Sequence, residues 1–133
     1  MDDAHLTFQP LNELEALMVA AHADPARKAA FRDALLAAPL CALTQAVVDG
    51  GRKLEPGDRV QLATAPQADG RAAIILFTAP ARIGQVYPVG VSYIQGPGVE
   101  MLKLARDGAA MLNPGIPYGV LWTSGEIEAL LAG

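Results

Sequence analysis

The run "RAAIILFTAP", Arg71 to Pro80, constrains this chain more than any other segment. Six apolar residues from Ala72 to Phe77 stand in unbroken succession, bounded by a turn before and a proline after. Such a run reads as a strand buried on both faces, at the centre of a sheet. The sheet must then carry material on each side. Asp69-Gly70 lies immediately upstream, between two strand-like runs, and signals a hairpin. Its partner is "RVQLAT", in which Val60, Leu62 and Thr64 alternate with Arg59, Gln61 and Ala63.

The flanking sequence supplies the covering layer. In "PLNELEALMVAAH", Leu11, Leu14, Leu17, Met18 and Ala21 recur at helical spacing. Asn12 followed by Glu15 has the spacing of a capping box, so the helix starts there. Asp24-Pro25 restarts a helix. The aspartate can accept from first-turn amides, and proline suits the first helical position. That helix buries Phe31, Ala34, Leu35 and Ala38 and stops before Pro39. "LCALTQAVV" then reads as a first strand, and "DGGRKLEPGD" as a loop. Val89, Val91 and Tyr93 alternate like a strand, with Pro88 and Gly90 interrupting. "GVEMLKLARDG" is a helix with Gly108 placed as its C-cap. "AAMLNPG" is the last strand. "TSGEIEALLAG" is a closing helix with Thr123 and Glu126 as its capping box. The pattern predicts an α+β fold: a mixed, mainly antiparallel sheet of about four to five strands, covered by helices, two of them N-terminal.

The chain has 133 residues, enough for a single domain whose core needs no disulfide or metal. Its net charge is −4, and its densest basic group, Arg27, Lys28 and Arg32, is interleaved with Asp24 and Asp33 as a solvated helix face. Nucleic acid is therefore a poor partner. Cys41 is the single cysteine, which fits a reducing compartment and excludes an intrachain disulfide. The N-terminus "MDDAHLTFQP" has no apolar signal core, and no uncharged run is long enough to span a bilayer. A soluble cytoplasmic protein is expected.

Chemistry-bearing motifs are sparse. Cys41 lies between Leu40 and Ala42, where cysteine behaves as a small hydrophobe. His5 and His22 form no ligand pair, so no metal is expected. Asp2, Asp3, Glu13 and Glu15 read as surface and helix-start charge. "QGPGVEML" carries Gly96 and Gly98 ahead of a helix and is the one candidate anion loop. It lacks a Walker lysine.

In "MLNPGIPYG" the backbone is closely dictated. Asn113-Pro114-Gly115 suits a turn with proline second and glycine third, where φ is positive. The segment works as a stiff connector to the last helix. Asn113 and Tyr118 also offer a polar amide and an amphipathic ring on a loop.

Three blocks together resemble one family. They are "FQPLNELEALMVAAHADPARKAAFRDALLAAPL", "IILFTAPARI" and "AAMLNPGIPYGVLWTSGEIEALL". In this order they resemble the N-terminal domain of the SseB-like family. The resemblance implies its fold and a bacterial cytoplasmic setting, and no established chemistry.

Between Ala72 and Val99 the sequence holds one charged residue, Arg82. The central strand explains part of this stretch; "QVYPVGVSYI" is left over, with Tyr87 and Tyr93 in it. Tyrosine is enriched at interfaces. The expectation is a non-catalytic interaction or regulatory module without cofactor. Its contact surface would use Tyr87, Val89, Val91 and Tyr93, against a protein partner or a second copy. The alternative is a small-ligand or anion site formed by Gly96, Gly98, Asn113 and Tyr118.

Overall fold

The computed structural model describes residues 9–44, 52–53, 62–66, 70, 72–87, 91–106 and 108–132. The N-terminal helices are α1 (Glu13–Ala23) and α2 (Lys28–Ala37), joined by a 3-10 turn at Pro25–Arg27. Then come β1 (Pro39–Leu43), β2 (Arg52–Lys53), β3 (Thr64–Pro66), β4 (Ala72–Phe77) and α3 (Pro80–Val86). The chain continues through β5 (Ser92–Pro97), α4 (Gly98–Leu104), β6 (Ala109–Leu112), β7 (Val120–Thr123) and α5 (Ser124–Ala132).

The strands form one sheet in the order β2-β5-β1-β4-β6-β7, with β3 also paired to β4. The β2–β5 and β4–β6 pairs are parallel and the others antiparallel. The α+β class and the mixed, mainly antiparallel sheet therefore hold. β4 is central, as its apolar run requires. One of its sides is shared end to end, with β1 at Leu76 and Phe77 and β3 at Ala72 to Ile74.

Strand alternation sorts the core into two clusters. Leu40, Ala42, Ile74, Leu76, Ala110 and Leu112 face one way, under Leu14 and Met18 of α1, Leu35 of α2, Leu102 of α4 and Ile127 of α5. Cys41, Leu43 and Phe77 face the other way, against Ile83 of α3 and Val91. Four helices thus cover the first face, and the short α3 covers part of the second. None of the described helices is long and apolar enough to cross a membrane.

The Asn12 and Thr123 caps are present as predicted, whereas Asp24 caps the 3-10 turn Pro25–Arg27 and not α2, whose N-cap Arg27 makes no side-chain bond. Asn12 Oδ1 accepts from the Glu15 N–H at 2.9 Å, and Asp24 Oδ1 from the Ala26 N–H at 3.0 Å. Thr123 and Glu126 exchange bonds at the start of α5. Gly70 has φ +86, as the hairpin requires.

Several expectations need correction. Residues 80–86 form a helix, α3, which the sequence pattern did not assign. Pro80 stands at its first turn, where a missing N–H does no harm. "VLWT" is a strand, β7; the connector does not run straight into the last helix. β3 lies at Thr64–Pro66, and Leu62 makes only a bridge to Thr44, while 54–61 fall outside the described residues. The α4 helix ends at Leu104 before Gly108. Gly108 serves instead for close approach, because a Cβ there would meet the Ala72 carbonyl oxygen at 2.7 Å.

Candidate functional site

Parallel pairing of β4 with β6 sets Leu76 opposite Leu112, so both strands end at the same edge of the sheet. Thr78 and Asn113 follow immediately and meet there. The Thr78 N–H donates to Asn113 Oδ1 at 3.0 Å, and Asn113 Nδ2 donates to Thr78 Oγ1 at 2.9 Å. The Thr78 hydroxyl in turn donates to Glu15 Oε2 at 2.5 Å. Arg82, one turn into α3, grips the same carboxylate with both ends of its fork. Its Nε reaches Oε2 at 3.0 Å and its Nη2 reaches Oε1 at 2.6 Å. Remaining guanidinium donors go to Gln85 Oε1 and the Gln9 carbonyl. The Leu11 N–H closes the set on Glu15 Oε1 at 2.8 Å.

Glu15 is therefore not surface charge. It is fully buried, as is Asn113, and Arg82 is 6% exposed. Burial pushes the Glu15 carboxyl up. The bonds from Arg82, Thr78 and Leu11, with the guanidinium charge, outweigh burial and hold it below its ordinary value of 4.5. The group ties α1 to α3. α1 belongs to the first core layer and α3 to the second, and the Glu15–Arg82 pair joins them around the end of β4.

The fold places the remaining candidates as follows. The Asn113 amide faces Thr78, so it offers no polar tip to a ligand. Gly96 and Gly98 are not loop residues. Gly96 is in β5, and Gly98 is the first residue of α4, buried against α2. The Gly98 N–H donates to the Ala38 carbonyl at 2.8 Å. A Cβ on Gly98 would land on the Leu35 carbonyl oxygen, which explains the glycine by packing. The expected anion loop is thus β-ladder and helix contact.

Of the expected contact strand, Val91 is buried, and Tyr87 packs edge-on against Phe77 with centroids 6.4 Å apart. Tyr93 is half-buried, and burial, then Cys41, raises its hydroxyl above the ordinary 10.0. These rings belong to the second core cluster. Val89 lies outside the described residues. Cys41 is fully buried, and its sulfur accepts from Gln95 Nε2 at 3.7 Å. Among the described residues, no group of three or more His, Cys, Asp or Glu could hold a metal ion.

The structure brings Tyr118 to a different surface. Asn113–Ile116 closes one turn, with Gly115 at φ +83 and the Ile116 N–H on the Asn113 carbonyl. Ile116–Gly119 closes a second in the same pattern, with Pro117 second and Tyr118 third. Tyr118 therefore sits at φ +68, where a bulky residue is rare. Its ring meets His22 edge-on with centroids 5.0 Å apart. Both line a groove of about 960 Å³ between α1, α2, this double turn, β7 and α5. Phe31 and Trp122 form apolar parts of its wall, and Lys28 and Arg32 stand on its α2 side. The first turn was legible in the sequence; Ile116-Pro117, expected to continue extended, instead opens the second turn, and nothing local showed that α1 and α2 would wall a groove with it.

No curated protein and no solved structure matches the chain. A family model does, described as SseB protein N-terminal domain, over residues 14–129. The matched span holds Glu15, Thr78, Arg82 and Asn113, the residues that join the three resembling sequence blocks into one buried tie. Through this match over most of its length, the chain belongs to the SseB N-terminal domain family.

Proposed function

We propose that this chain is a non-catalytic protein-interaction module of the bacterial cytoplasm, and that Tyr118 anchors its contact surface at the groove. The observation that carries this reading is the backbone of Tyr118. A left-handed conformation at a non-glycine residue costs of order 1 kcal/mol or more, and glycine would take the position without strain. Here an amphipathic aromatic ring occupies it, at the rim of an apolar groove and beside His22. Tyrosine and tryptophan in such settings are the usual anchors of protein contacts. The non-catalytic part rests on where the reactive groups go. Glu15 and Arg82 are bonded to each other, and Cys41 is in the core.

Affinity capture from the source cell extract tests the reading, with the full chain as bait. The native chain should retain a partner that Tyr118→Gly loses while the unfolding midpoint of the variant stays close to native. Tyr93→Ala should keep that partner. Equal retention by Tyr118→Gly, or loss that follows Tyr93 instead, would move the contact surface away from the groove.

A further inference from the structure

β7 is the last strand of the sheet, and no described strand pairs with its outer edge. Its sequence is Val-Leu-Trp-Thr, without a charge or proline, the features that usually protect an edge. Leu121 in its middle is 48% exposed. Trp122 belongs to the first core cluster and also lines the groove. An unprotected edge and an apolar groove are therefore contiguous.

The charge around the groove is opposite to that of the chain. The whole chain carries −4, yet the α2 wall presents Lys28 and Arg32. The acid that lines the groove, Glu126, has its carboxylate turned back to the Thr123 N–H at 3.0 Å. Arg32 donates its Nε to the Leu130 carbonyl at 2.9 Å, which fixes its guanidinium between α2 and α5, and its Nη1 to the exposed Asp33 carboxylate at 3.2 Å, so Lys28 supplies the larger share of the positive rim. A basic rim beside an apolar floor complements a segment that is apolar and acidic.

We infer that the occupant of this surface is an extended segment of a partner protein, alternating apolar and acidic residues, which adds to the sheet as a strand along β7. The inference rests on the interaction-module reading above and names its partner class. Main-chain hydrogen bonds to the β7 edge supply affinity. Side chains alternate across a strand, so every second one enters the groove beside Trp122 and Tyr118. A carboxylate on the segment meets Lys28, with the Arg32 guanidinium, shared with Asp33, beside it.

The test selects a displayed random-peptide library on the full chain, then follows the winning peptide by amide hydrogen exchange and titration. Enriched peptides should alternate apolar residues with Asp or Glu. The complex should slow exchange in Val120–Thr123 by roughly tenfold or more. Leu121→Asp, at an exposed position, should abolish binding without loss of fold. Lys28→Glu should weaken it about two- to fivefold at low salt, and hardly at all for a peptide whose acids are replaced by alanine. No enrichment, basic winners, helical three- and four-residue spacing, or protection away from β7 would each overturn the inference. So would a chain that dimerises through β7 in the absence of peptide. Partner capture lost in Tyr118→Gly but insensitive to Leu121→Asp would sink the strand-addition inference alone. Capture insensitive to both would remove the groove reading as well.

Discussion

Replacing Arg82 by methionine tests the buried tie directly. The variant keeps a long side chain on α3 and removes every donor that Arg82 gives to Glu15, Gln85 and Gln9. The Glu15 carboxylate then stays buried with only the Thr78 hydroxyl and the Leu11 N–H. Breaking one side of a buried ion pair costs about 3–5 kcal/mol, because the partner charge is left uncompensated. The unfolding entropy of a chain of 133 residues is about 0.28 kcal/mol/K. The melting temperature should therefore fall by about 10–20 °C. Urea unfolding followed by Trp122 fluorescence, with calorimetry alongside, measures both quantities. On a Glu15→Gln background the same Arg82 change should cost at least ~1.5 kcal/mol less, since no buried carboxylate is stranded. The sign with pH follows from the direction of the Glu15 shift. Its folded value lies below 4.5, so the tie stabilises fully above the unfolded value and is lost as pH falls through the folded one. The cost of Arg82→Met should thus be largest near neutral pH and shrink on acidification. An equal cost on both backgrounds, or one that does not shrink with acid, would refute the claim that a charge-compensating tie holds α1 to α3.

Four further outcomes are expected. Gly98→Ala should lower stability by more than about 2 kcal/mol, since backbone must shift away from the Leu35 carbonyl. Gly84→Ala on α3, which meets only open space, should raise stability by about 0.4–1 kcal/mol; reversal of that order in denaturation midpoints would discredit the packing account. Cys41 should react with a thiol reagent far more slowly than free cysteine, at a rate that follows global unfolding, because it is fully buried. Among the described residues the buried Ser92 hydroxyl has no hydrogen-bond partner, so Ser92→Ala should raise stability in urea by about 0.5–1 kcal/mol, and a clear fall would mean that the hydroxyl is satisfied.

Local chemistry made much of this fold legible in the sequence. The caps at Asn12 and Thr123 depend on neighbours within three residues and are present, and Asp24 bonds the nearest amide but caps a 3-10 turn ahead of α2. The central place of β4 followed from an apolar run that only burial on both faces accommodates. The first turn of "NPGIPYG" followed from the positive φ that Gly115 alone takes freely. The tertiary structure decided what long-range pairing decides. Glu15 looked like a helix-start charge because its capping role is local. Its real partners, Thr78 and Arg82, are 63 and 67 residues away, and they arrive only when β4 and β6 end side by side. Arg82 stood out in the sequence as an isolated charge without an assigned task, and "VLWT" was too short to separate from the turn before it. Gly96 and Gly98 suggested a phosphate loop because a glycine that permits close packing and a glycine that frees an amide are the same residue on paper. For Gly98 only the position of the Leu35 and Ala38 carbonyls distinguishes them, and for Gly96 its pairing with Leu40 in the sheet. For Tyr118 the sequence suggested an extended Ile116-Pro117 where the structure closes a second turn, and the groove beneath its ring is walled by α1 and α2, which no local pattern encodes.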